Sequence, residues 1–280
     1  MAISEFIPTL WSTLLNKELE KALVYGSCTN SNYEGEIKNA GDRVKINEIG
    51  DITINNYTKG ATVTYQDIDD AGQFLNIDQS KYWAFQVDDI IKYQSNAELL
   101  KPAIEKAAYT IADTIDQYIA GLYAQAGIVT ALGTHATPIE VNKTNVAAYL
   151  VKIARYLDDN NVPREGRFCV IPPFMLEDLV NASIVAATNN TDIMSNGLVG
   201  KYAGLDIKVS NNVVNTSSAK YKILAGHPSA IAYASQAANV EAIRLQTTFA
   251  SGVRGLYLWG AKVIKPAALA LFVANEAADA

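Results

Sequence analysis

The amino-acid sequence predicts an α+β fold, because three segments differ in the spacing of their apolar residues. Residues 41–80 alternate apolar and polar side chains as paired strands do, and residues 95–127 repeat apolar side chains at helical spacing. Residues 138–236 alternate short strands with helices. With 280 residues, of which 49% are hydrophobic and 19% charged, we expect one large globular domain or two smaller ones.

The first predicted element is a helix over residues 4–25, where apolar residues recur every three or four positions and Pro8 lies near the start. This helix either packs on its own domain or lies against another chain, and the sequence leaves both open. The N-terminus lacks the pattern of a secretory signal. No apolar run reaches the ~20 residues of a membrane-spanning helix.

Residues 41–80 are predicted to form a two-stranded ribbon that turns at Lys59-Gly60. Val44 and Ile46 alternate with polar residues, but only ten of residues 41–69 are apolar. An isolated ribbon is marginally stable in water. The ribbon therefore requires a surface that covers its apolar face.

A long helix is predicted to follow, with Ser95 and Glu98 as a capping box and a stop near Gly127. Its apolar face runs from Leu100 to Leu122. Such a helix has about 30 residues and a length of about 45 Å. Pro102 predicts either a kink or a late start.

Residues 138–236 are predicted to form a separate α/β unit. A helix over residues 146–157 ends at Asn160-Asn161, and residues 167–171 form a strand before a helix that begins with proline. Two further strands turn at Gly226-His227-Pro228. Residues 240–275 return to strand spacing and are predicted to join the sheet near the long helix, followed by a frayed tail.

The sequence contains no motif for phosphate-loop, dinucleotide, zinc-protease or serine-hydrolase chemistry. His135 and His227 are isolated in a loop and a turn, so we expect no catalytic residue, no metal site and no cofactor. Cys28 and Cys169 are predicted to be small buried side chains, with the thiol of Cys169 made unreactive by its apolar strand. A cysteine-nucleophile enzyme is nevertheless the competing functional class.

The charge balance argues against a protein that binds nucleic acid tightly. The chain has 23 Lys and Arg against 29 Asp and Glu, a net charge of −6, and no basic block of five or more residues. Tight binding to phosphates requires a denser basic surface.

Two stretches resemble the major capsid proteins of tailed bacteriophages. LVYGSCTNSNYEGEIKNAGDRVKI (23–46) is similar to their N-terminal segment, and GVRGLYLWGAKVIKPAALALF (252–272) is similar to their closing strands. The order of ribbon, long helix, α/β insertion and return strands matches as well. The family has the Hong Kong ninety-seven-type (HK97-like) fold, which encapsulin nanocompartment shells share.

The resemblance implies four parts. They are an N-arm (1–40), an extended loop that forms the ribbon (41–82), a peripheral domain that holds the long spine helix (83–137 and 240–280), and an axial α/β domain (138–239).

The resemblance implies a coat protein that assembles into the icosahedral shell around a double-stranded DNA genome. Copies would form hexameric and pentameric capsomers, with a separate scaffolding protein, a portal and a decoration protein as possible further partners. The shell would belong to the virion, assemble in the bacterial cytoplasm and enclose DNA without reading its sequence or touching a membrane. An encapsulin-type shell is the alternative. A tail or adhesion protein would predict internal repeats, which are not evident.

The expected contacts between subunits come from the N-arm and the ribbon, which we expect to be covered by neighbouring copies. The expected interface residues are Phe6, Trp11, Leu14, Tyr33, Glu34, Arg43, Lys45, Tyr57, Lys59 and Tyr65. Because this contact is apolar, shells should assemble without nucleic acid and tolerate salt.

The position of Lys59 raises the question of covalent locking. Some members of the family join a loop lysine to an asparagine of a neighbour with the help of an acidic residue. No matching asparagine or acid is identified in this sequence, so we predict non-covalent shells. Denatured particles should run in gel electrophoresis as one band at the mass of a single chain, and a ladder of linked species would contradict this.

Overall fold

The computed structural model describes most of the chain, and all statements below concern this part. The described residues are 23–32, 43–46, 54, 56, 59–60, 65, 72–88, 100–125, 127–182, 198–217, 219–244 and 250–277.

A three-stranded antiparallel sheet is formed by strands that are far apart in the sequence. Strand β3 (Gln79–Asp88) and strand β10 (Ile231–Arg244) both pair with the central strand β11 (Ala250–Val263). The register places Tyr82 opposite Leu256 and Glu241 opposite Arg254. Successive residues of a strand point to opposite faces, so this sheet has two distinct surfaces.

The base of the predicted ribbon lies on one of these surfaces. Strands β1 (Arg43–Ile46) and β2 (Gln73–Asn76) pair antiparallel. Their apolar side chains form one buried cluster with residues of β10 and β11 and the turn after them. The members are Val44, Ile46, Leu75, Ile77, Ala232, Ala234, Leu258 and Ile264. The expectation that only a neighbouring chain covers the ribbon is therefore wrong at its base, because the same chain buries it.

The long helix is α1 (Leu100–Gly121), and it buries one stripe that includes Ile111, Ile115 and Ile119. Its 22 described residues span about 33 Å. The helix ends six residues before Gly127, because the chain tightens into a 3-10 turn over Leu122–Ala124 and then enters a strand. Residues 89–99, which include the expected capping box of Ser95 and Glu98, lie outside the described part of the chain, so the predicted start of the helix stays a prediction.

The α/β unit is built on a seven-stranded mixed sheet. Its strands are β4 (Val129–Leu132), β5 (Ile139–Val141), β6 (Phe168–Ile171), β7 (Leu198–Tyr202), β8 (Leu205–Val209), β9 (Tyr221–Gly226) and β12 (Leu269–Glu276). The order is β4-β12-β9-β6-β8-β7, with β5 also paired to β12. This sheet supplies a large share of the main hydrophobic core, to which both helices of the unit, α1, β10 and β11 also contribute.

The described part of the α/β unit contains two helices, α2 (Val146–Asp159) and α3 (Pro173–Asn181). The ring of Tyr149 on α2 lies 5.8 Å from that of Phe272 on β12, and Phe174 on α3 lies 4.9 Å from Tyr221 on β9. Both helices agree with the spacing and proline signals of the sequence.

Buried Arg167 fixes the end of α2. Its guanidinium donates to the carbonyl oxygens of Pro163 and Ala154, at 2.8 Å and 3.3 Å, and to the Asp158 carboxylate at 2.8 Å. Cations near a helix C-terminus satisfy carbonyl groups that have no intrahelical donor.

The return segment divides between the two sheets, which differs from the expectation that all of it joins the sheet near the long helix. Strand β12 is buried on both faces and pairs with β9, whereas β11 exposes Arg254 and Leu256. A strand without a polar face fits the inside of a sheet that is covered on both sides. The expected boundaries at residues 82 and 239 fall within β3 and β10.

Gly260 on β11 allows the ribbon to lie on the sheet. A Cβ atom added there would overlap the carbonyl oxygen of Asn76 and lie 3.1 Å from the Cα of Ile77. We predict that Gly260→Ala lowers the free energy of unfolding by about 1–3 kcal/mol, measured by urea denaturation. Gly200→Ala is the matched control in a strand, since nothing lies within 4 Å of its added Cβ. Equal stability of the two variants would contradict the prediction.

Candidate subunit-interface surfaces

One face of the three-stranded sheet is covered only over half of its length. The ribbon base lies over Leu258 and Gly260, where Lys262 Nζ donates to the Phe74 carbonyl at 3.1 Å and the Gln73 amide donates to the Ile264 carbonyl at 3.2 Å. Further along the same face, the side chains of Leu256 and Arg254 reach solvent. The uncovered half is the first candidate surface.

This uncovered half forms a shallow groove, which we call the sheet groove. It is lined by Tyr82, Ala84, Glu241, Arg254, Gly255 and Leu256. The guanidinium of Arg254 donates to Glu241 Oε2 through two nitrogens, at 2.7 Å and 3.0 Å. Tyr82 is 79% exposed. The sheet groove is thus a shallow apolar surface beside an ion pair. Such a surface is typical of a protein–protein contact, whereas small molecules bind in deeper pockets.

The opposite face of the same sheet carries aromatic rings, of which Tyr257 and Trp259 belong to the large core and Trp83 packs against it. Trp83 stacks on Phe85 with ring centroids 5.6 Å apart, and Tyr257 lies 6.0 Å from Trp259. A Cβ at Gly255 would come within 2.6 Å of the Trp83 indole ring. Gly255 therefore lets Trp83 lie flat on β11 and keeps the sheet groove backed by a packed layer.

The described residues of the ribbon beyond its base are exposed. Ile54 is 95% and Tyr65 is 93% exposed, and Lys59 lies in a turn with Gly60, whose φ is +90°. Positive φ is where glycine is favoured, as the predicted turn requires. Both side chains are therefore available to a neighbouring copy.

The expected interface residues fall into two groups. Arg43 and Lys45 lie on the exposed side of β1, and Lys59 and Tyr65 are exposed along the ribbon. The remaining expected residues lie outside the described part of the chain; they are Phe6, Trp11, Leu14, Tyr33, Glu34 and Tyr57. The structure places none of the ten against another chain, so their role in contacts stays a prediction.

The base of the N-arm is held by one carboxylate on α1. The backbone N–H groups of Val24, Tyr25 and Gly26 donate to Asp116 at 2.8 Å, 3.1 Å and 3.2 Å. Just after this turn, Asn30 exchanges backbone hydrogen bonds with β10, to Ile231 and from Tyr233. Residues 24–30, which fall within the expected N-arm, are thus tied to both α1 and β10.

Asp116 is buried, and burial raises its pKa to about 6 although the three backbone donors oppose the rise. The neighbouring Asp113 raises it further. Asp113 itself accepts hydrogen bonds from Gln117 at 2.9 Å and from Asn212 at 2.7 Å. The N-arm anchor therefore contains a carboxyl group that titrates close to neutral pH.

The thiols and imidazoles form no reactive pair. Burial raises the pKa of Cys28 to about 11 and that of Cys169 to about 12, as expected for Cys169. Both are free cysteines. His227 Nδ1 accepts from the backbone N–H of Ser229 in its turn, at 3.2 Å.

Within the described ranges, no cluster of three or more His, Cys, Asp or Glu side chains could hold a metal ion, and no helix could cross a membrane.

The arrangement of the two sheets, the ribbon and α1 is found in solved phage structures. A structure from Mycobacterium phage Che8 is 28% identical, with a TM-score of 0.68 over 89% of this chain and 90% of that chain. The capsid structure of the cyanophage P-SCSP1u is 20% identical, with a TM-score of 0.64 over 89% and 86%. The chain has the Hong Kong ninety-seven-type capsid fold. The family resemblance stated from sequence is thereby confirmed at the level of fold.

The capsid fold also extends to more distant structures. A virus-like particle from Pyrococcus furiosus is 12% identical, with a TM-score of 0.56 over 94% of this chain and 97% of that chain. No family model and no curated protein sequence matches the chain. The similarity is therefore carried by the backbone arrangement of the capsid fold more than by side-chain identity.

Sequence reasoning missed the sheet groove and the arm anchor of this capsid fold. Asp116 could have been found, because it interrupts an apolar stripe between Ala112 and Ala120, four residues away on each side. An acidic residue inside an apolar stripe indicates a specific partner. Leu256 carries no such signal, since its exposure depends on how far the ribbon base reaches along β11.

Asp116 predicts a pH dependence of stability. Its pKa in the folded chain, about 6, lies above the usual 3.8, so ionisation in this window favours the unfolded chain. The free energy of unfolding should fall by up to about 3 kcal/mol between pH 4 and pH 7, relative to Asp116→Asn. Urea denaturation at several pH values measures it. Exposed Asp159→Asn is the control, and an Asp116→Asn difference that does not change with pH would contradict the assignment.

Proposed function

We propose that the chain is the major capsid protein of a tailed bacteriophage, whose copies assemble into the shell around its double-stranded DNA. The observation that supports it is the match to phage structures over about nine-tenths of both chains, at 28% identity for the phage Che8 structure. On this proposal the protein is structural and has no enzymatic activity. Consistent with this, both thiols are buried and held in the protonated form.

The proposal assigns the four predicted parts of the family to this chain. The N-arm and the ribbon make contacts between subunits, and the three-stranded sheet with α1 forms the peripheral domain. The seven-stranded sheet forms the axial domain, which takes β4 and β12 from the predicted peripheral range. Copies form hexameric and pentameric capsomers, and scaffolding, portal and decoration proteins act as further partners. Assembly takes place in the bacterial cytoplasm, and the product is the virion shell.

The contact that we propose joins the ribbon of one copy to the sheet groove of the next. The ribbon base already covers half of that sheet face within one chain, so a second ribbon would extend the same layer. Ile54 and Tyr65 on the ribbon, and Tyr82 and Leu256 in the groove, supply apolar surface on both sides. Burial of such surface stabilises by about 25 cal/mol per Å². A head-to-tail contact of this kind closes into rings when the rotation between copies permits it.

An encapsulin-type shell has no better support than a phage capsid. The virus-like particle from Pyrococcus furiosus matches over nearly its whole length but at a lower identity and TM-score than the two phage structures. The phage capsid therefore remains the favoured assignment.

A single substitution in the sheet groove tests the proposed contact more specifically than a deletion in the ribbon does. We predict that Leu256→Asp folds, as judged by circular dichroism, but forms no closed shells in negative-stain microscopy, because a carboxylate would be buried in the contact. Val151→Asp is the matched control, since Val151 is a similarly exposed aliphatic residue on α2. Deletion of residues 48–64 removes the ribbon's half of the contact and should also prevent the formation of closed shells. Normal shells from either the groove variant or the deletion would refute the proposed contact.

A further inference from the structure

Lys222 is a buried lysine near the start of β9. Its register partner in the sheet is Val273 of β12, and the residue is only 2% exposed. Its Nζ atom lies 3.1 Å from His135 Nδ1 and 6.0 Å from the centre of the Tyr123 ring. Among the described residues no carboxylate forms an ion pair with it. A buried ammonium group that lacks a counter-ion is costly and therefore unusual.

The neighbours of Lys222 add positive charge. Lys220 and then Lys222 lower the pKa of His135, and burial, followed by Lys220, lowers the pKa of Lys222. The imidazole is therefore held neutral, and its Nδ1 accepts a hydrogen bond from the Lys222 ammonium. The other ammonium hydrogens have no acceptor among the described residues, apart from the face of the Tyr123 ring. Among the described residues, the Lys222 ammonium therefore lacks an anionic partner.

We propose that Lys222 and His135 form a binding site for a small oxyanion of the phosphate class. Lys220 joins them because residues 220 and 222 pair as one extended segment with residues 214–216, which places their side chains on the same face. An oxyanion can accept charge-assisted hydrogen bonds from the lysine ammonium groups and an ordinary one from the Nε2–H of His135. His135 is exposed, so the site opens to solvent on that side, while the aliphatic part of Lys222 is packed inside.

The site is separate from the surfaces assigned to assembly. Strand β9 runs from Tyr221 to Gly226, after which the chain turns through Pro228–Ala230 into β10 of the three-stranded sheet. Lys222 lies at the other end of β9 from that connection. The oxyanion site therefore does not depend on the proposed capsid function, and it can be tested on unassembled chains and on shells alike.

The test is equilibrium dialysis of the full chain with radiolabelled inorganic phosphate. We expect saturable binding of one phosphate per chain, at least tenfold weaker in Lys222→Met, which keeps the length of the side chain and removes its charge. Lys201→Met is the matched control, because Lys201 is exposed and already paired with Asp206 at 3.0 Å. Absence of saturable binding, or equal binding by Lys222→Met, overturns the proposal.

A second variant and a competitor complete the design. Lys220→Met, at a half-buried position beside the site, should weaken phosphate binding with less risk to folding, and wild-type affinity in that variant would also overturn the proposal. The competitor is a short duplex DNA, which is added to the complex of the protein with radiolabelled phosphate. Displacement assigns the site to the phosphate groups of DNA, and retention assigns it to a free oxyanion. Melting temperatures with and without phosphate provide a check, since a ligand that binds the folded chain raises stability.

Discussion

The pairing of β11 with two distant strands is the constraint on which the rest of the structure depends. Strand β11 holds β3 on one side and β10 on the other, so segments separated by more than 140 residues meet in one sheet. One face of that sheet carries the ribbon base, and the other carries the aromatic layer of Trp83, Tyr257 and Trp259. Because each face accepts a different part of the chain, an error in the register of β11 would misplace both at once.

The same constraint explains how one subunit can be stable and yet incomplete. The ribbon base is buried by its own chain, which fixes the direction in which the ribbon leaves the body. The arm is fixed in a similar way by Asp116 and by the backbone pairing of Asn30 with β10. Beyond these two anchor points, Ile54 and Tyr65 remain exposed. On the proposed function, the buried anchors stabilise the single chain, and the exposed side chains remain for contacts between copies.

The sequence predicted those features that depend on local spacing. The stripe of Ile111, Ile115 and Ile119 predicted α1, and the alternation around Val44 and Ile46 predicted β1 with its buried side. It did not predict that β12 belongs to the seven-stranded sheet, because an apolar run such as LALFVA fits either sheet until its partner β9 is known. The sheet groove was not predicted for the same reason, because the exposure of Leu256 depends on how far the β1–β2 pair extends along β11.

The depth of the two cysteines has a practical consequence. Cys28 and Cys169 are both buried, and burial raises their pKa to about 11 and about 12, so they are almost entirely protonated at neutral pH. Alkylating dyes and spin labels react with the thiolate. A cysteine introduced on the outer surface would therefore react with little background from the native pair. The unmodified chain already serves as the starting point for attaching fluorophores, peptides or antigens at chosen positions.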